Sequence, residues 1–333
     1  MIRKILKWTG IILITVFVVV LLFWGYFNLP VKNERQDVSL GTTFSYTYAE
    51  DLGLDWKETF IAILDDLEIK KIRIPVYWDR VETEEGVFDF SLVDWQIEEA
   101  SKRDAEIVLA IGQKVPRWPE CHIPKWIGDN DLKRKGALVN FLGVIVDRYK
   151  NKDVIKYWQV ENEPFLNFGI CPPVDANLID REISQVRSKD QNRKIIMTDS
   201  GELSLWLGAA KRADVFGTTM YLDIWSQKFG YYEYPIGPRF FWFKKWLINI
   251  FAKQDQAIVI ELQAEPWMAG WVLDFPVEDQ LKHMNPKLLS ENVSFAKKVG
   301  FSEVYLWGTE WWYYMKVKQD HPEIWEEARI LFN

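Results

Sequence analysis

Hydrophobic and polar positions divide this chain into two regimes. Residues 9–27 form an uncharged run rich in Ile, Leu, Val and Phe, and about 19 residues at roughly 1.5 Å each span a hydrocarbon core of about 30 Å. From Val38 onward short apolar runs alternate with amphipathic stretches about eight times, with no long low-complexity break. Strands are predicted near 38–45, 70–77, 106–112, 155–160, 194–198, 215–221, 257–261 and 303–307, with helices between them. Asp55 caps the first of these helices, Ser91 opens another through a capping box with Asp94, and a last helix lies near 322–331. Eight strand–helix units predict an α/β fold, a parallel (β/α)8 TIM barrel preceded by a single transmembrane helix. An open doubly wound sheet is the competing architecture, and no Gly-rich phosphate loop follows any strand to support it.

Charge orients the apolar run. Arg3, Lys4 and Lys7 precede it, whereas Lys32 and Arg35 beyond it are offset by Glu34 and Asp37. The positive-inside bias therefore keeps the N-terminus in the cytoplasm and the barrel outside. The expected organisation is a cytoplasmic basic segment (1–8), a signal anchor (9–27), a linker (28–37) and the barrel domain (38–333). A cleaved signal peptide is the alternative, but its apolar core is usually shorter and ends at a small-residue site, whereas Trp24-Gly25-Tyr26-Phe27-Asn28-Leu29-Pro30 follows here.

Composition removes several classes of function. A formal charge of -7 argues against nucleic acid as a partner. Three His without ligand spacing leave no metal centre, no cofactor motif is present, and the lack of a Gly-x-Ser-x-Gly elbow argues against acyl transfer. The 18 Trp, 13 Tyr and 20 Phe provide flat apolar faces that fill a core and also stack on sugars. Cys121 and Cys171 fall in the loops after the third and fourth strands and are expected to pair in an oxidising compartment. The longest connection, 222–256, carries Phe240, Phe243, Leu247, Ile250 and Phe251 at helical spacing, which predicts the sixth barrel helix packing on the sheet. A second reading has Trp242 and Trp246, with Lys244, Lys245 and Lys253, touching the membrane surface.

Two carboxylates carry the chemistry. Trp158-Gln159-Val160-Glu161-Asn162-Glu163-Pro164 precedes Ile258-Val259-Ile260-Glu261-Leu262-Gln263 by about a hundred residues, so each segment ends an apolar strand on an acid. Acetal cleavage through an oxocarbenium-like state needs two such groups, one to protonate the leaving oxygen and one to meet the developing cation. In a TIM barrel both would project into one cleft at the strand C-termini. With these residues in place, the whole domain after the anchor resembles the clan A TIM-barrel glycoside hydrolases, which include families 5, 39 and 42.

The resemblance implies roles. Glu163 is similar to the clan's general acid/base, Asn162 to the residue that bonds the sugar 2-hydroxyl, and Glu261 to the nucleophile. Arg73, in Ile72-Arg73-Ile74-Pro75, resembles the arginine whose fixed charge keeps that nucleophile a carboxylate. Tyr221 resembles the tyrosine that donates to the nucleophile, and Trp307 the tryptophan that floors the subsite. The segment 82–94, with Glu85-Gly86-Val87-Phe88-Asp89-Phe90, also resembles the stretch before the second helix. At the seventh strand many members read Thr-Glu before an aromatic residue and Gly; here Ile260-Glu261-Leu262-Gln263-Ala264-Glu265 leaves Glu265 as a rival to Glu261.

Trp118, with Arg117 and His122, is a candidate substrate contact in the loop after the third strand. Glu310 and Trp311 either reach a sugar hydroxyl or only cap the barrel, and Glu161 is a structural partner. The implied activity is a membrane-anchored retaining glycoside hydrolase acting on a β-linked oligo- or polysaccharide outside the cytoplasm. A transglycosylase using the same intermediate and a catalytically silent tethered glycan-binding barrel are the alternatives.

Overall fold

The computed structural model describes residues 2–31, 35 and 37–333, with side chains from Lys7 onward. Of the charges expected to orient the apolar run, Lys32, Glu34 and the side chains of Arg3 and Lys4 lie outside the described residues. The run forms a helix, Ile2–Phe27, whose Lys7–Phe27 portion has the length and composition to cross a membrane; its side chains are largely exposed, and its last turn meets the barrel through Tyr26 and Phe27.

The barrel strands are β1 (Ser39–Thr43), β2 (Lys71–Pro75), β3 (Glu106–Ile111), β4 (Ile155–Val160), β5 (Lys194–Asp199), β6 (Val215–Met220), β9 (Ala257–Gln263) and β10 (Glu303–Trp307). They close in the order β1-β10-β9-β6-β5-β4-β3-β2, parallel throughout, as a TIM barrel. Between β6 and β9 lies an antiparallel hairpin of β7 (Asp223–Ser226) and β8 (Gly230–Glu233), which the sequence pattern did not resolve within 222–256. Its turn at Gly230 has φ +71°, a conformation that glycine adopts without strain.

Strand alternation separates two cores. Ile72, Ile74, Ile107, Leu109, Trp158, Val160, Ile195 and Met197 face outward into the layer beneath the helices. Val108, Ile196, Val215, Ile258, Ile260 and Tyr305, with Tyr157 against them, plug the lumen. Polar side chains, among them Arg73, Gln159, Thr198 and Glu261, are buried with them. Period-two patterning thus places Arg73, Gln159 and Thr198 as well as the packing.

Asp55 caps helix Trp56–Asp65 by accepting from Lys57 N and Glu58 N, as expected. Helix Ser91–Ser101 differs from expectation: Ser91 lies inside it, and Asp89 Oδ1 accepts from Ser91 N at 2.8 Å. The acidic side chain two residues upstream reaches the free N–H, which leaves no cap for Ser91 to make.

Helix Pro238–Ala252 does form, with Phe241, Lys244 and Ile248 as its buried face. Ile250 and Phe251 point outward rather than onto the sheet. Lys244 is buried with its ammonium 4.3 Å from the Trp206 ring centroid, and Lys245 donates to Gly300 O, so neither lysine is on the exposed face.

Cys121 and Cys171 form a disulfide that joins the loops after β3 and β4. It closes a 50-residue separation, and cross-links over such loops stabilise by about 2–4 kcal/mol. Cys171→Ser is expected to lower unfolding free energy by that amount in a denaturant titration under non-reducing conditions; an unchanged midpoint would contradict it.

Candidate active site

Arg73 lies wholly buried in β2, one strand from β3 and two from β4 around the barrel. Its Nε donates to Gln159 Oε1 at 2.7 Å, one terminal nitrogen to Glu261 Oε1 at 2.6 Å and the other to Asn162 Oδ1 at 2.7 Å. The planar guanidinium therefore ties the end of β4 to the end of β9 in one fixed fork. Tyr221, just past β6, donates its hydroxyl to the other oxygen of Glu261 at 2.9 Å.

A local irregularity aims Glu261. Thr218 and Thr219 are consecutive on β6 but pair with Val259 and Glu261, and β10 shows a matching register shift against the same stretch of β9. One extra residue in β9 is a β-bulge. Ile260 joins the lumen plug while the next residue, Glu261, also turns inward to Arg73. Strict alternation would have sent Glu261 outward.

Glu163 sits on the turn after β4, where Glu161 and Glu163 have φ of +61° and +44°. Such left-handed conformations cost energy for residues with a side chain and persist only when the surroundings hold them. Here Glu163 N donates to Thr198 Oγ1 at 2.7 Å, and Glu161 accepts from Gln113 N and Lys114 N at 2.9 and 2.8 Å. Thr219 Oγ1 donates to Glu163 Oε1 at 3.1 Å. Glu161 is thus a structural acceptor, as expected.

Burial pushes the Glu163 carboxyl well above the usual carboxylate range, and the charges of Glu261 and Glu120 add to the shift while Lys114 opposes it. Glu120, in the loop after β3, was not foreseen. It accepts from Asn162 Nδ2 at 3.4 Å, and burial followed by the Glu261 charge raises it to about 8. Thr219 and Lys114, which donates to Glu163 O at 3.0 Å, were also missed. Gln159 could have been found, because it shares the inward side of β4 with Tyr157. Glu120 lies in an irregular loop with no periodicity to reveal it.

The remaining candidates form a second cluster. Arg117 donates to both carboxylate oxygens of Glu265 and, at 3.1 Å, to Glu310 Oε2. Its guanidinium lies between rings, 3.6 Å from the Tyr48 centroid and 4.1 Å from that of Trp307. Glu265 is consequently held by Arg117, whereas Glu261 is held by Arg73 and Tyr221.

Glu310 is wholly buried and accepts from Ser45 N at 2.5 Å. Trp311 is buried with its indole donating to Gln280 at 2.8 Å, and His122 is buried against the Tyr77 ring. Trp118 is 67% exposed beside Arg117. Trp267, part-exposed, meets Tyr221 edge-on at 5.0 Å. Among the described residues, no group of His, Cys, Asp and Glu could hold a metal ion.

Removing Arg73 takes the donor from Gln159 Oε1 and the charge partner from Glu261 Oε1, and leaves Asn162 Oδ1 with only its longer bonds to Thr198 and Gln159. Arg73→Met is expected to cost about 3–5 kcal/mol of stability, measured by denaturant unfolding, and Arg73→Lys to recover only part of it because an ammonium cannot reproduce the three-way fork. The buried acids predict a second outcome. A carboxyl whose pKa is raised by folding stabilises fully below its unfolded value and loses that contribution as pH rises through the folded one. For Glu120 this window runs from the ordinary 4.5 to about 8, and for Glu202, raised chiefly by burial, to about 7. Lys244, pushed down to about 7 by burial, acts in the opposite sense only above that pH. The thermal midpoint should therefore fall between about pH 5 and pH 8, less steeply in Glu120→Gln; a flat or rising midpoint would contradict this.

Comparison with solved structures places this architecture among glycosidases. A GH5_18 protein from Bifidobacterium longum subsp. longum matches with TM-score 0.58 at 12% identity, over 82% of this chain and 70% of that one. A GH10 endoxylanase from a sugarcane soil metagenome matches with TM-score 0.58 at 15% identity, over 89% and 97%. A β-galactosidase from the haloarchaeon Halorubrum lacusprofundi matches with TM-score 0.56 at 14% identity over 81% of this chain, which spans only about half, 52%, of that protein. These likenesses show the fold. Among curated proteins, none matches the sequence. The family described as Cellulase (glycosyl hydrolase family 5) matches residues 36–234, more than half of the chain. The chain belongs to glycosyl hydrolase family 5, within the TIM-barrel clan that its strand-end residues resemble.

Proposed function

We propose that this protein is a membrane-anchored retaining glycoside hydrolase that cleaves β-linked glycans outside the cytoplasm, with Glu163 as acid/base and Glu261 as nucleophile. The observation that carries the reading is the contrast between the two acids. Glu261 has Arg73 on one oxygen and Tyr221 on the other, both donors, whereas burial and then the neighbouring acids, Glu261 foremost, favour the protonated form of Glu163. Environments that separate two carboxyls in this way assign them to opposite roles.

In the first step a Glu261 oxygen bonds to the anomeric carbon as the glycosidic C–O bond breaks, and Glu163 gives its proton to the departing oxygen. Charge then leaves Glu261, so Glu163 becomes easier to keep ionised and can take a proton from water. That water oxygen attacks the anomeric carbon, the ester to Glu261 breaks, and the sugar leaves with its starting configuration. Tyr221 and Arg73 follow the charge on Glu261 through both steps. Asn162, fixed by Arg73 and Thr198, is the proposed contact for the sugar 2-hydroxyl. Trp307, on whose ring Arg117 rests, and exposed Trp118 are the proposed aromatic contacts.

The sugar class is left to experiment, guided by neighbours whose descriptions name GlcNAc and Manb1-4GlcNAc as bound ligands. Residues 9–27 of helix Ile2–Phe27 supply the anchor, residues 1–8 the cytoplasmic segment, 28–37 the linker and 38–333 the catalytic domain.

The test is hydrolysis of aryl β-glycosides and of β-glucan, mannan, galactan and xylan by the detergent-solubilised full chain. Glu163→Ala should lower kcat by about 10²–10⁴-fold, and Glu261→Ala by at least as much. Azide should then restore turnover of an activated substrate in both, giving the α-glycosyl azide from Glu261→Ala, where it fills the vacated face, and the β-glycosyl azide from Glu163→Ala. Exchanged products would reverse the assignment; folded wild-type protein that binds glycans without turnover would refute hydrolysis. In the wild type, the alkaline limb of the kcat/KM profile should lie above the ordinary carboxylate range, in the direction of the Glu163 shift.

A further inference from the structure

Helix Pro238–Ala252 is apolar on two faces, and only one of them is used by the barrel. Phe241, Lys244 and Ile248 are buried. On the other side Phe243, Trp246, Leu247, Ile250 and Phe251 follow the i, i+3, i+4, i+7, i+8 spacing of a continuous stripe. Trp246, Ile250 and Phe251 are 45%, 48% and 62% exposed. The helix carries no carboxylate, and exposed Lys253 follows its end.

The stripe begins where the N-terminal helix ends. Phe243 packs 5.6 Å from Phe27 and 6.3 Å from Tyr26, and stacks on Trp246 at 5.5 Å. Asn28 Nδ2 donates to Pro235 O at 3.2 Å, and the Arg239 guanidinium lies 4.8 Å from the Tyr26 ring. Val19, Leu22, Phe23, Tyr26, Phe27 and Phe243 line one wholly apolar groove between the two helices. Any bilayer that surrounds Val19–Phe27 therefore reaches Phe243 and the stripe beyond it.

We propose that helix Pro238–Ala252 is an interfacial foot: its Phe243–Phe251 stripe lies in the headgroup–acyl boundary of the same membrane that the N-terminal helix crosses, a placement that rests on the anchor reading above. Tryptophan and lysine suit that boundary, where apolar rings enter the acyl region and cations remain among the headgroups. The foot belongs to the outer ring of helices that run alongside the barrel strands. The barrel then rests on its side wall, and the cleft at the strand ends opens along the membrane surface rather than away from it. The substrate class that fits this placement is a β-glycan held close to that surface.

The test uses the full chain reconstituted in phosphatidylethanolamine–phosphatidylglycerol vesicles, with a nitroxide on a cysteine introduced singly by Ile250→Cys, Phe251→Cys, Leu22→Cys or Leu132→Cys. The native cysteines are paired and remain unlabelled. Collision with oxygen reports lipid, and collision with a water-soluble nickel chelate reports water. Labels at 250 and 251 are expected to show an oxygen-to-nickel ratio several-fold above that at 132, which is 83% exposed on the barrel, and nearer to that at 22. A lipid-like label at 22 with water-like labels at 250 and 251 overturns the foot alone. A water-like label at 22 overturns the anchor and the foot together.

Discussion

A guanidinium sealed inside a barrel costs several kcal/mol of lost hydration unless it is paired and hydrogen-bonded, and each nitrogen of Arg73 finds an acceptor, in Gln159 and Asn162 at the end of β4 and in Glu261 of β9. Glu261 provides the opposite charge, and Gln159 and Asn162 complete the fork. The same bonds that make the buried charge tolerable also fix the relative position of the β4 and β9 ends. Asn162 is in turn shared with Thr198, which accepts from Glu163 N, so the backbone that presents Glu163 is tied back to the arginine. Packing around the lumen plug supplies the frame, but this ion pair sets the geometry between the two acids.

The site is crowded with carboxyls, and its electrostatics follow from that. Glu163, Glu120 and Glu261 occupy one buried region with Arg73 and Lys114 as the counter-charges. Fewer positive than negative groups means that not every acid can ionise together at low dielectric cost, so protons stay on the ones without a direct cationic partner. Glu161 and Glu182 repeat the pattern behind the β4 turn, where each carboxyl is raised chiefly by burial. A cleft organised in this way stores protonated acids at pH values where exposed carboxyls are ionised.

Arg117 shows how a second cation divides the remaining chemistry. By holding Glu265 and Glu310 while lying between Tyr48 and Trp307, it satisfies two acids and covers an aromatic face at once. The Cys121–Cys171 disulfide holds its loop to the one after β4. The loops that carry Arg117, Glu120 and Glu163 therefore form one connected rim, continuous with the catalytic strands beneath.

Local periodicity determined a great deal about this protein. Eight strands appear where short apolar runs predicted them, Asn162, Glu163, Tyr221 and Trp307 lie at or just past strand ends with Arg73 and Glu261 inside β2 and β9, and the uncharged N-terminal run is a helix of spanning length. These features depend on residues close together in sequence. Other features depended on neighbours that are distant in sequence. The bulge in β9 turns Glu261 inward although alternation points it outward, because Arg73 and Tyr221 from other strands hold it there. Glu120 enters the cleft along an irregular loop that no period encodes. The helix over 238–252 could be read from its pattern, but with apolar residues on both faces, only tertiary packing decided which face met the barrel and which remained outside.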